Sequence, residues 1–331
     1  MTSTSLTFID VGHGNAAVLQ GSDGAVLIDA GPGPYVLEYL QQHGITALDA
    51  ILISHADADH LKGLIALLGE EIDVGEVRLN SDALKGSKTW DSVLWELEER
   101  EAAGKLELRI DLHRGQTLPT VDATVSLEVL APRSYLVGRG PGATDRDGRR
   151  ITSNTMSAVL AVRAGSDTLA MLAGDIDEVG LAHLVDTVDD LSSRLLMYPH
   201  HGGNVRATTN EHANAAFAQD LATRVQPDVV LFSIGRGEHG TPRKETIAAI
   251  RDACPRVRIA CTQLSEHCAA VAPPRGAATH LSSDFARGRA RSHCCAGTLR
   301  IDFPDGTGAS PNADEHHAFK QRWAPTALCL Y

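Results

Sequence analysis

The stretch Leu52-Ile53-Ser54-His55-Ala56-Asp57-Ala58-Asp59-His60-Leu61-Lys62-Gly63 places two histidines and two aspartates within six residues, directly after an apolar run. Imidazole and carboxylate are ligands for zinc, manganese or iron, and a loop leaving a strand end can turn several of them toward one point. A solvated acidic turn with incidental histidines is the plain alternative, and it gives no reason for so dense a set of ligand-type side chains. Residues 48–53 read as a buried strand and residues 64–68 as the start of an amphipathic helix, so the cluster sits on a strand-to-helix loop.

Beyond that loop the chain carries further short motifs in order. They are Phe8-Ile9-Asp10-Val11-Gly12-His13-Gly14-Asn15-Ala16, Leu27-Ile28-Asp29-Ala30-Gly31, Asn154 with Ser157, Ala173-Gly174-Asp175, Tyr198-Pro199-His200-His201-Gly202-Gly203 and Glu238-His239-Gly240-Thr241-Pro242. Together with His55-x-Asp57-x-Asp59-His60 they resemble the metallo-β-lactamase superfamily, whose first metal motif is His-x-His-x-Asp-His. With Asp57 in place of the second histidine, the chain is similar to the hydrolase domain at the end of the bacterial DNA-uptake channel protein ComEC and to its free-standing relatives. Those relatives usually carry Gln and Asp where this chain has His13 and Asn15.

The resemblance implies an α/β fold, the metallo-β-lactamase αββα sandwich, over residues 1–303, and a centre of two divalent metal ions. It assigns His55 and Asp57 to the first position, Asp59 and His60 to the second, and Asp175 as the bridge. One of His200 and His201 completes the set, and the sequence does not choose between them. Asp57 swaps a neutral ligand for an anionic oxygen, a harder donor that admits manganese as well as zinc. Asp59, as a ligand or as proton acceptor for a metal-bound water, and His239, as a leaving-group acid or a phosphate contact, are the candidate catalytic residues. No Gly-x-Ser-x-Gly elbow points to a serine nucleophile.

The chain has 331 residues, 43% of them hydrophobic and only 4% aromatic, so its core is expected to be built from Leu, Val, Ala and Ile. No apolar stretch is long enough to span a bilayer, and residues 1–5 are polar and lead straight into a strand, which makes the cytoplasm the default location. A net charge of −12 argues against broad adhesion to nucleic acid, while leaving room for a phosphodiester held by metals and a local basic patch.

Residues 34–42 read as a helix closed by Gly44, residues 90–103 as a helix in which Trp90 and Trp95 pack, and residues 72–80, 106–112, 121–130, 169–172, 195–197 and 229–234 as strands. Residues 133–152, rich in glycine and mixed charge, read either as a solvated mobile loop or as a lid whose arginines meet an anionic substrate.

Residues 265–293 read as an insert between closing strands at 262–264 and 297–301. Cys261, Cys268, Cys294 and Cys295 flank it and are candidates for a structural zinc site, with free thiols or a redox pair as the alternatives and Cys254 and Cys329 as bystanders. Arg287, Arg289 and Arg291 form a basic strip in the insert, suited to phosphate or simply solvated. Residues 304–331 read as a C-terminal tail, partly disordered, that docks at most its last turn.

These readings lead to a metal-dependent hydrolase of phosphodiesters or nucleic acid, nucleases included. Hydrolysis of another ester, a thioester or a lactam, and a binding or effector component that needs a partner protein, are the alternatives.

Overall fold

Apolar residues alternate along the strands and recur at helical spacing between them, and this pattern sorts the core into three principal apolar layers. The computed structural model describes residues 4–70, 72–303 and 308–330, the side chains of 308–310 excepted. The first half supplies strands β1 (Ser5–Phe8), β2 (Ala16–Gln20), β3 (Ala25–Ala30), β4 (Ala47–Leu52), β5 (Asp73–Arg78) and β6 (Glu107–Arg109). The second supplies β7 (Val125–Ala131), β8 (Val159–Ala164), β9 (Asp167–Leu172), β10 (Leu195–Met197), β11 (Val229–Phe232) and β12 (Arg258–Cys261), followed by β13 (Leu299–Asp302) and β14 (Gly308–Ser310). Among the described residues eight strands form one sheet, in the order β14-β13-β1-β2-β3-β4-β5-β6, and six form the other, in the order β12-β11-β10-β9-β8-β7.

The sheets pack face to face. Leu6, Phe8, Leu19 and Leu52 of the first meet Leu160, Leu172, Met197 and Leu231 of the second. In β10, Leu195 and Met197 face this interior while Leu196 points outward, the period of two that a strand imposes. Helices Tyr35–Gln42, Leu64–Leu68 and Lys88–Ala102 cover the outer face of the first sheet. Helices Glu178–Val185, Glu211–Val225 and Lys244–Ala253 cover that of the second. The result is the αββα sandwich expected. Among the described residues no helix is long and apolar enough to cross a membrane.

Within each sheet four neighbouring strands run parallel, β3 to β6 in one and β9 to β12 in the other. Their carboxyl ends carry the motifs: Asp29 in β3, the 55–60 loop after β4, Asp175 after β9, His200 and His201 after β10, and the His239 loop after β11. Side chains leaving the carboxyl ends of parallel strands converge in the crevice outside the sheets, where open α/β folds bind their ligands.

Several expectations change in detail. Trp90 packs at 4% exposure, but Trp95 is 66% exposed, because it falls on the solvent face of its helix. Residues 133–152 are neither unstructured nor free. They contain helix Ser134–Arg139, and the buried Asp145 carboxylate accepts from the Asp147 and Arg149 amides and faces His183 Nε2 at 3.0 Å. Residues 304–307 lie outside the described residues, but the chain beyond them belongs to the domain. β14 extends the first sheet beside β13, and helix Ala313–Trp323 buries His316, Phe319 and Lys320, whose ammonium donates to the Ile259 carbonyl at 3.2 Å.

Leu196, fully buried beneath the helices of the second sheet, measures the worth of this layer. Leu196→Ala is expected to lower stability by about 3 kcal/mol, with an unchanged slope in urea denaturation monitored by circular dichroism.

Candidate metal centre

Two groups of three donors stand in the crevice. His55, His60 and Asp175 form one and His13, Asp59 and His201 the other, with the candidate ligand atoms of each group all within 4.8 Å of one another. Asp175 lies between them, its Oδ1 3.4 Å from His60 Nε2 and its Oδ2 4.0 Å from His201 Nε2.

The imidazoles are aimed from behind. His60 Nδ1 is 2.7 Å from Asp29 Oδ2, and Asp29 also accepts from the Ser54 amide at 2.7 Å and the Ser54 hydroxyl at 2.9 Å. A carboxylate at Nδ1 fixes the proton there and leaves Nε2 to face the crevice. His201 is treated alike, its Nδ1 donating to the Ser233 carbonyl at 2.7 Å. Ser157 Oγ accepts from the Asp175 amide at 2.8 Å, and Asp175 Oδ1 accepts from the His200 amide at 3.0 Å, so the bridging carboxylate is held at both ends.

Strain gathers at the same place. Among the described residues six that are not glycine have positive φ, and four of them are Asp29, His200, His201 and His239. Each such residue costs roughly 1–2 kcal/mol, which the surrounding hydrogen bonds must over-determine. Gly14 permits the close approach of the His13 loop: a Cβ there would stand 2.3 Å from the Asp59 carbonyl, and its φ of +142° suits glycine.

The field favours a cation. Burial opposes the charged form of His60, but Asp29 and Asp175 outweigh it and raise its pKa well above the usual imidazole value. Burial likewise opposes ionised Asp175, yet the charges of His60 and His201 pull its pKa well down. Asp59 is lowered against its burial by the His201 hydrogen bond and the His60 charge. His55 is pushed down to about 4, by burial first and by His60 next. His13 falls to about 3, through burial and the His201 charge.

The donors fit divalent metal ions. His55 Nε2, His60 Nε2 and His200 Nε2 are buried without a hydrogen-bond partner among the described residues, an expense that a metal ligand bond removes. The set of imidazoles and carboxylates is that of zinc and manganese sites.

The expected residues are not all equally placed. His55, Asp59, His60, Asp175 and His201 come together. Asp57 stands at the rim, its Oδ1 3.8 Å from His55 Nε2 and paired with the Lys85 ammonium. His200 lies with Nδ1 3.6 Å from Asp175 Oδ2, outside both triplets. His239 is exposed, its ring 4.3 Å from that of His13.

His13 and Asp29 are additions that the sequence reading assigned to no role at the site. The signal for Asp29 was a carboxylate at the end of an otherwise apolar strand; Lys85, in an irregular segment, had none.

Of the four cysteines expected to hold a structural zinc, Cys261, Cys268 and Cys295 share one neighbourhood, where Cys329, read as a bystander, joins them, and Cys294 turns away; among the described residues the four form no group with metal-ligand spacing. Cys294 and Cys295 are adjacent in extended chain and point opposite ways, the first toward Asp10 Oδ2 at 3.5 Å and the second toward His316 Nε2 at 3.2 Å. The insert is pinned by Asp10 instead. Its buried carboxylate accepts from Gly12 and Gly288 amides and from Gln263 Nε2, and its carbonyl accepts from the Arg287 amide at 2.9 Å. Burial raises the Asp10 carboxyl above its ordinary range despite these bonds.

The fold is the αββα sandwich of the metallo-β-lactamase architecture, and the sequence pattern described as the Metallo-beta-lactamase superfamily matches residues 9–141. That span includes His13, Asp29 and the 55–60 loop; Asp175, His200 and His201 lie beyond it. No curated protein matches the chain in sequence. Similar solved structures include the metallo-beta-lactamase fold protein YhfI from Bacillus subtilis, 13% identical, covering 78% of this chain and 96% of its own, with a TM-score of 0.48. A metallo hydrolase from the archaeon Ignicoccus hospitalis is 12% identical, covering 78% and 95%, with a TM-score of 0.45. The short form of human tRNase Z is 17% identical, covering 80% and 93%, with a TM-score of 0.39.

Asp29→Asn keeps a side chain that tolerates positive φ but removes the anionic acceptor behind His60. It is expected to weaken zinc binding about 10- to 100-fold in competition with a chelating dye, with little change in melting temperature.

Proposed function

We propose that this protein is a divalent-metal-dependent hydrolase of phosphodiesters, nucleic acid included. The observation that carries the reading is the pair of adjacent donor triplets, linked by buried Asp175, which belongs to the first and stands 4.0 Å from His201 of the second. An all-structural site closes its coordination shell, whereas this crevice remains open on the Asp57 side. There a cleft of about 640 Å³ is lined by Lys85, Arg150 and Arg206 and by Asp57, Asp177 and Glu178. Lys85 pairs with Asp57 and Arg206 with Glu178, so Arg150 is the cation of this wall that offers its charge to an anionic substrate, and the order of motifs similar to the DNA-uptake hydrolases supports the same class.

His55, His60 and Asp175 would hold one ion, with Asp57 at its rim, and His13, Asp59 and His201 the other, with Asp175 within reach of both; zinc and manganese both suit these donors. A bound divalent metal supplies Lewis acidity, which lowers the pKa of water and offsets phosphate charge. The chain's own groups do the rest. Asp29 and the Ser233 carbonyl hold the tautomers of His60 and His201. Asp59 accepts a proton on the crevice side. Arg150 orients the phosphate, and His239, on the exposed rim, delivers a proton to the departing oxygen.

Bis(p-nitrophenyl) phosphate turnover with added zinc or manganese tests the reading. Wild-type protein is expected to be active and to lose activity in chelator, and Asp175→Ala should reduce kcat by more than about a hundredfold. Turnover of a carboxylic ester or β-lactam probe in place of the phosphodiester would overturn the substrate assignment.

A further inference from the structure

Separate from the Lys85 cleft, and sharing none of its lining residues, a second cavity of about 620 Å³ opens between helix Tyr35–Gln42 and the insert. It adjoins the metal-centre residues through a short chain of contacts. The His13 ring is 4.3 Å from the His239 ring, and the neighbouring Glu238 lies 3.9 Å from Arg287 Nη1. Its wall carries Arg236, Arg287, Arg289 and Arg291, in a protein whose net charge is −12.

These arginines are held in place. Arg236 donates to the carbonyls of Leu264, Ala269 and Ala270, and Arg289 to those of Ser282 and Asp284. Carbonyls satisfy donors without cancelling charge, so both remain full cations facing the cavity. Arg287 donates to the Val11 carbonyl and lies over the Tyr35 ring, 4.8 Å from its centroid, while Tyr35 stacks on Phe285 at 6.0 Å and 16°. Arg291 is exposed on the turn Arg289–Arg291; its amide donates to the Gly288 carbonyl at 3.2 Å, and its guanidinium makes no hydrogen bond or ion pair among the described residues. Of the three carboxylates on the wall, Asp284 is engaged by Ser282 and faces His43 at 3.3 Å, Glu238 faces Arg287, and Glu38 stands on the helix.

Fixed guanidinium groups beside a planar Arg–Tyr–Phe stack match the two chemistries of a nucleotide unit, an anionic phosphate and a flat base. The Asp10 knot that pins the insert sets this wall at a fixed distance from the centre. We infer that the cavity bounded by Arg287, Arg291, Tyr35 and Phe285 is a subsite for a nucleotide flanking the scissile phosphodiester of a single strand. The strand then continues in two directions, toward Arg291 in this cavity and toward Arg150 in the Lys85 cleft, which is the geometry of cleavage within a chain. The inference rests on the phosphodiester reading for its place in catalysis, but the subsite binds its ligand through this chain's own residues.

Fluorescence anisotropy with a fluorescein-labelled thymidine oligonucleotide, in chelator so that no cleavage occurs, tests it directly. Arg291→Ala is expected to weaken binding about fivefold and to reduce the salt slope by about one, and Arg287→Lys, which keeps the charge but not the plane, to weaken it similarly. Tyr35→Leu and an abasic strand of equal length should each lose about tenfold through the missing stack. Arg224→Ala, on a helix of the second sheet, controls for net charge and should change nothing. Equal affinity of Arg291→Ala and Arg224→Ala, or no binding by the wild type, would sink the subsite. If binding fails while bis(p-nitrophenyl) phosphate is still hydrolysed, the subsite falls and the hydrolase reading stands. Arg291-dependent binding without hydrolysis has the opposite meaning.

Discussion

Everything in the crevice is built around one buried imidazole held between two carboxylates. His60 is fully buried, with Asp29 2.7 Å behind it and Asp175 3.4 Å in front. Charges removed from water are tolerated only when paired and hydrogen-bonded, and removing one partner of such a pair costs about 3–5 kcal/mol. The chain therefore needs Ser54 to satisfy the Asp29 carboxylate, the His200 amide to satisfy that of Asp175, Ser157 to hold the Asp175 backbone amide, and the strained turn at His200 and His201 to bring the donating amide round. Each requirement falls on a different strand end. The two sheets must pack in one register for all of them to be met at once.

The same constraint explains why the fold is so plainly layered. Three apolar clusters fill the space between and outside the sheets, and the donor side chains of the crevice stand at the carboxyl ends of the parallel strands. Several charged groups that enter the interior are locked: Glu76 with Arg78 in β5, Asp10 by three donors beneath the insert, Asp145 by Arg149 beside His183, Lys320 by the Ile259 carbonyl. Two of these locks decide function indirectly. Asp10 fixes the arginine wall, and Asp145 holds the segment that carries Arg150 to the entrance of the cleft.

How far the sequence could be read depended on how local each determinant was. The 55–60 cluster is dense enough to be recognised alone, and Asp175, His200 and His201 are marked by short motifs after apolar runs. His13 and Asp29 were visible as residues but not as partners, because 46 and 31 positions separate them from Asp59 and His60, and only sheet pairing brings them near. The cysteines were legible in part. Cys261, Cys268 and Cys295 share a neighbourhood with Cys329, which nothing in the sequence marked for inclusion, but in extended chain neighbours at 294 and 295 face opposite sides, and Cys294 is carried to Asp10.

By itself the sequence determined most of the strand and helix pattern and the dense ligand-type cluster of the 55–60 loop, since these follow from periodicity and from residues close together in the chain, and the αββα class came from the resemblance carried by the ordered motifs. Tertiary structure alone decided that Lys85 pairs with Asp57, that Asp29 stands behind His60, that His13 joins Asp59 and His201, and that the chain after residue 308 belongs to the domain. The physical reason is that burial and charge pairing are properties of a position in space. They arise only once the two sheets close and place residues far apart in the chain within a few ångströms of one another.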